Sequence, residues 1–151
     1  MPKKIKWDDS SGAAQNARRE LPDLVAEYFA EGRDAVAGKR SATAWHRLRL
    51  RTKRLRYTLE LFQPCYGPGL EQRLKALHEA QTILGDLNDC AASRRLINGL
   101  LPHGSPQRTR LHGFLDARAQ RKISKFREFW KEFDKAGEEK AWCTYLSRAR
   151  G

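Results

Sequence analysis

The residues best placed for chemistry are cations at helical spacing. His46, Arg49, Lys53 and Arg56 recur at intervals of 3, 4 and 3. On a helix they share one face, rising about 5 Å per turn. Such a row can donate to successive anionic oxygens, and an arginine fork can do so bidentately. Arg47 and Arg54 fall on another side of the same helix, and Arg51 at the far edge of its apolar seam. From Ala35 to Leu59 there are eight basic residues and no acid. No carboxylate four residues away within the run can neutralise them. A basic helix face is often merely solvated, but this uncompensated repulsion favours a polyanion as ligand.

A second basic region follows. Between Cys90 and Arg127 there are nine Lys and Arg residues against one acid, Asp116. Arg118, Arg121, Lys122 and Lys125 lie three or four residues apart within it. Arg73 and Lys75, with His78, add charge upstream. The whole chain has 151 residues, a formal net charge of +12, and 19 arginines against 11 lysines. An arginine-led excess points to phosphate oxygens.

Other chemistry finds little support. His46 lacks a nearby acid to orient it as a general base. Cys65, Cys90 and Cys143 are odd in number and far apart, which suits a reducing compartment and argues against a disulfide scaffold. No His and Cys spacing fits zinc. Asp86, Asn88 and Asp89 lack the glycine of a calcium loop. They are expected to restart or cap a helix and to pair with arginines. No phosphate-cradling glycine loop is present. The reading is therefore no enzyme, no metal and no cofactor.

The elements that must hold these residues are helices. Leucine occurs 18 times, valine twice and isoleucine four times, a poor composition for strands. Prolines leave helical windows near 10–38, 44–63, 69–100 and 106–136, with a short helix near 139–149. Pro22 is expected to start or kink the first, and Gly85 to kink the third. Ser41 or Thr43 can cap the second. Its apolar seam is Trp45, Leu48, Thr52, Leu55, Leu59 and Phe62, at 3,4,3,4,3 spacing. The third carries Leu70, Leu74, Leu77, Gln81, Leu84, Leu87, Leu96 and Leu100. The fourth carries Leu111, Leu115, Ala119, Ile123, Phe126, Trp130 and Phe133. The expected fold is all-α, an antiparallel four-helix bundle with a short extra C-terminal helix. Residues 1–15 read as a flexible arm, and 16–151 as one domain. Leu50, Tyr57 and Leu61 form a lesser apolar strip, suited to packing or to contact with a second bundle.

The run His46-Arg47-Leu48-Arg49-Leu50-Arg51-Thr52-Lys53-Arg54-Leu55-Arg56-Tyr57, ending Glu60-Leu61-Phe62, resembles the signature helix of CHAD (conserved histidine α-helical) domains. Lys75-Ala76-Leu77 and Leu84-Gly85-Asp86-Leu87-Asn88-Asp89 resemble the family's next block. His78 departs from it, standing where the family commonly has glutamine. The resemblance implies a helical domain that binds inorganic polyphosphate and goes to polyphosphate granules. It makes His46, Arg49, Lys53, Arg56 and Lys75 the leading ligand contacts, followed by Arg47, Arg51 and Arg54. It also implies a full domain about twice as long, built of two related bundles. Two copies of this chain are therefore expected to associate as a homodimer. The competing reading from charge alone is a sequence-nonspecific nucleic-acid-binding protein. No apolar run approaches a membrane span, so a cytoplasmic location is expected.

Overall fold

The computed structural model describes residues 4–38 and 41–150. They form five α-helices: α1 (Ala13–Ala37), α2 (Ala42–Leu61), α3 (Gly69–Leu100), α4 (Pro106–Phe133) and α5 (Glu138–Leu146). A short 3-10 turn, Gln63–Cys65, follows α2. No strand occurs among the described residues, and the all-α expectation holds.

Starts and stops follow local chemistry. Ser41 caps α2 by accepting from the Ala44 N–H at 3.0 Å. Ser105 caps α4 in the same way, with Pro106 in its first turn. In both cases a side-chain oxygen satisfies an otherwise orphaned amide. One expectation is corrected. α1 does not start at Pro22 but begins nine residues earlier and continues through it, because packing along the helix outweighs one lost backbone bond. α3 is one continuous helix that includes Gly85, where a missing side chain costs about 1 kcal/mol of propensity.

The start of the chain also differs from a free arm. α1 begins at Ala13, and the buried Asn16 side chain donates to the carbonyls of Asp8, Ser11 and Gly12. The Asp8 amide returns a bond to Asn16 Oδ1 at 2.9 Å. Trp7 packs near the Phe62 ring. Residues 1–3 lie outside the described residues.

α3 lies between α2 and α4. His46 Nδ1 meets Asn88 Oδ1 at 3.1 Å, and Arg56 meets His78 at 2.6 Å, so α2 and α3 are antiparallel. Lys122–Asp86 at 2.9 Å, His112–Asn98 at 2.7 Å and the Arg94–Asp116 pair make α3 and α4 antiparallel too. The α2 seam is buried at every predicted position, Trp45 to Phe62. Leu70, Leu77, Ala80, Leu84 and Leu87 of α3, and Ile123, Phe126, Trp130 and Phe133 of α4, complete that side. α1 packs on α2 and α5, and its Phe29 stacks on Phe133 at 4.9 Å between centroids. α5 is integral to the core through Trp142 and Leu146. Leu96, Leu100 and Leu111, expected among the apolar core positions, are exposed. They lie where α3 and α4 continue past the start of α2, beyond any helix that could cover them.

Thr52 is the one polar residue of the α2 seam, and it is fully buried. Its hydroxyl donates to the Leu48 carbonyl at 2.8 Å. The buried Tyr28 hydroxyl therefore donates to Thr52 Oγ1, also at 2.8 Å. Burial raises the Tyr28 pKa, so the phenol stays a neutral donor.

Candidate functional site: a cationic face on α2, α3 and α4

The helical period that buries the α2 seam turns His46, Arg49, Lys53 and Arg56 towards the α3 side. The row covers eleven residues, about 15 Å of helix from end to end. On α3 the outward row is Lys75, His78, Thr82, Asp86 and Asp89, at 3,4,4,3 spacing. By the Arg56–His78 register Lys75 lies level with Leu59, about one turn beyond the end of the α2 row. On α4, Arg118, Arg121 and Lys125 are exposed, and Lys122 is drawn onto Asp86. The structure thus places the α2 and α4 cations on either side of one α3 ridge.

Within the α2 row the side chains are partly organised. Asn88 Oδ1 is an acceptor, so His46 Nδ1 carries the proton that bonds it. That leaves Nε2, which offers a donor to an anion only in the imidazolium form. Arg56 donates to His78 Nδ1, so the neutral His78 ring carries its proton on Nε2. Arg56 Nε also lies 3.5 Å from Glu60 Oε1, outside hydrogen-bond geometry. The Arg56 and Lys53 cations sit over the Tyr57 ring at 4.9 and 5.7 Å, which limits their freedom. Arg49 and Arg56 each keep a buried Nε without a hydrogen-bond partner. A bound oxyanion in the guanidinium fork would offset that cost. By the His46–Asn88 and Arg56–His78 register, Gly85 lies level with Arg49. A Cβ built there meets nothing within 4 Å, so the space beside Arg49 is open.

Other predicted cations are placed elsewhere. Arg51 faces α1, 2.9 Å from Glu31 and 3.7 Å from Glu27. The α2 run is therefore partly compensated from another helix, which local sequence could not reveal. Arg54 lines the same small cleft as Arg51, Glu27 and Glu31. Arg47 is exposed near the Glu31 charge. Arg73 is half-buried under α5, its guanidinium 4.0 Å from the Tyr145 ring centroid and 5.6 Å from that of Trp142. Burial lowers its pKa, and the helix carbonyl of Gly69 takes one of its donors. Asp86 and Asn88 pair with Lys122 and His46, not with the arginines that the sequence suggested. Asn88 itself was missed as the orienter of His46. Its spacing from His46, 42 residues, carries no local signal.

Among the described residues, no three His, Cys, Asp or Glu side chains cluster to hold a metal ion. No described helix is long and apolar enough to cross a membrane.

The fold and this face define an all-helical protein presenting rows of basic side chains from adjacent helices. The CHAD domain family model matches residues 3–98. The chain belongs to the CHAD family, and the matched segment contains the whole α2 row and all but the last two residues of α3. Arg118, Arg121 and Lys125 lie beyond it. No curated protein and no solved structure matches the chain.

Proposed function

We propose that the protein binds inorganic polyphosphate without catalysing its breakdown, and so places itself at polyphosphate granules. We read α1 to α4 as an antiparallel four-helix bundle that presents the cationic face. The observation that carries this reading is the α2 row. Arg49, Lys53 and Arg56 follow one another along the α3 side of α2, with Lys75 about one turn beyond Arg56 in the α2–α3 register. The buried Nε atoms of Arg49 and Arg56 lack hydrogen-bond partners. Family membership adds to it. A flexible chain of phosphates can lay successive oxygens along such a row and release its counterions. Arg118, Arg121 and Lys125 of α4 lie across the α3 ridge, and polymer seated on the α2 row leaves them uncovered. A row of this kind supplies electrostatic grip but no nucleophile. Two copies pair in this proposal only when the polymer neutralises their facing stripes, because each carries a formal net charge of +12.

The test is displacement of labelled long-chain polyphosphate at about 150 mM salt. Unlabelled polyphosphate should displace it far better, charge for charge, than DNA or RNA. Equal displacement by nucleic acid would transfer the site to a general polyanion binder. The combined substitution Arg49→Glu, Lys53→Glu and Arg56→Glu should abolish binding with helical circular dichroism intact. Sedimentation should show monomers without polymer and pairs with it.

A further inference from the structure

We infer that the outer face of the α3–α4 hairpin docks an acidic amphipathic helix of a partner protein. The inference stands apart from the polyphosphate reading and uses a different part of the surface. By the His46–Asn88 register, Ala42 at the start of α2 lies level with Ala92. α3 continues eight residues further, about 12 Å, and α4 returns alongside it. The Arg94–Asp116 and His112–Asn98 contacts hold this projecting pair together.

The projecting pair exposes large apolar side chains on one side. Leu96 is 63% exposed, Leu100 71%, Leu111 41% and Phe114 61%. On α3, Leu96 and Leu100 continue the outward row of His78, Thr82, Asp86, Asp89 and Ser93 at steps of three and four. On α4, Leu111, Phe114, Arg118, Arg121 and Lys125 recur at 3,4,3,4 spacing, and all are exposed. The Lys122–Asp86 pair sets these two rows side by side. The result is one face, apolar towards the hairpin turn and, towards the body, cationic along α4, with Asp89 and the Lys122-paired Asp86 along α3. Contiguous exposed apolar surface of this kind marks an interaction site.

Charge selects the occupant. Between Cys90 and Arg127 the single acid, Asp116, is already paired with Arg94. A second copy would bring Arg118, Arg121 and Lys125 against the same three. An anionic bilayer is the competing occupant, since Arg108 and Arg110 could stay at its headgroups, and the vesicle measurement below separates it from a helix. A helix with an apolar stripe running into Glu and Asp residues meets both halves of the face at once, in the helix-on-helix mode. It requires no desolvated cation without a partner.

The test uses a fluorescein-labelled synthetic Leu/Glu amphipathic helix and a control of identical composition with its apolar stripe scrambled. Binding is read by anisotropy at about 150 mM salt. The amphipathic peptide should bind at least about tenfold tighter than the control. The double variant Leu96→Gln, Phe114→Gln should lose that preference and keep polyphosphate affinity. Both positions are exposed, so the fold should tolerate the change. The Arg49, Lys53 and Arg56 reversal should keep peptide binding, so this inference survives if the polyphosphate reading fails. Equal binding of the two peptides would overturn it. So would polymer-free dimerisation, or sedimentation with phosphatidylserine vesicles, that the Leu96 and Phe114 changes abolish. The first would assign the face to a second copy, and the second to a membrane.

Discussion

Salt dependence separates a site from a mere excess of charge. Arg49, Lys53, Arg56 and Lys75 supply four permanent cations to the face. For a flexible single-stranded polyanion, the slope of log affinity against log salt is about −0.7 per neutralised charge. Four contacts give a slope of about −2.8, roughly a 50-fold loss between 50 and 200 mM salt. Neutralising Arg49, Lys53 and Arg56 to Gln leaves one of these contacts and about a threefold loss over the same range. Arg51 and Arg73 provide the control. Arg51 is committed to Glu31 and Glu27, and Arg73 lies beneath Tyr145. Replacing both with Gln removes two formal charges but no polymer contact, so the slope should stay near its original value. The assay is fluorescence titration of labelled polyphosphate across that salt range, with circular dichroism to confirm folding. If the α2 triple variant keeps a 50-fold dependence, the row is not the binding element. If the Arg51 and Arg73 change flattens the slope as much, net charge and not geometry governs binding.

Three further outcomes concern the scaffold. Gly32 would place a Cβ 2.0 Å from the Trp130 ring. Gly32→Ala should therefore lose roughly 1–3 kcal/mol in urea melts despite better helix propensity. Gly113→Ala, with open space around it, should gain up to about 1 kcal/mol, and equal effects at the two sites would refute the close approach. Thr52→Val leaves the Tyr28 phenol without an acceptor and should cost about 1–3 kcal/mol. Adding Tyr28→Phe should recover part of that loss, and strict additivity would dismiss the coupling. Burial pushes the Glu31 carboxyl above its ordinary value of 4.5, with Arg51 opposing. A carboxyl raised by folding binds more protons in the native state, so its penalty grows as pH rises through that window. Arg51→Gln should then destabilise by about 1 kcal/mol at pH 7 and less at pH 4, checked by denaturant melts at both.

Much of the fold was legible in the sequence because helix periodicity is local. The α2 seam from Trp45 to Phe62 is buried throughout, and proline and serine positions mark the helix limits. Pro22 misled because a proline rule describes an isolated helix, while α1 is held by neighbours along its length. Leu96, Leu100 and Leu111 fitted the apolar period of their helices. Period alone does not tell how far a neighbouring helix extends, and α2 begins too late to cover them. The cationic row was legible for the same reason as the seam. What was not legible was the occupation of its members. Glu27 and Glu31 reach Arg51 from α1, and Tyr145 covers Arg73 from α5. Such pairings depend on tertiary placement, not on spacing along one helix.

The unbroken course of α3 sets how the two ends of this molecule relate. Leu100 lies 25 residues beyond Lys75 on one continuous helix, about 37 Å. The helical hydrogen bonding runs on through Gly85. The two ends of α3 are therefore set about that distance apart. Screening confines exposed charge effects to about 8 Å at physiological salt, far short of that separation. The helix acts as a spacer: it fixes how far the apolar end of the hairpin stands from the Lys75 end of the cationic row.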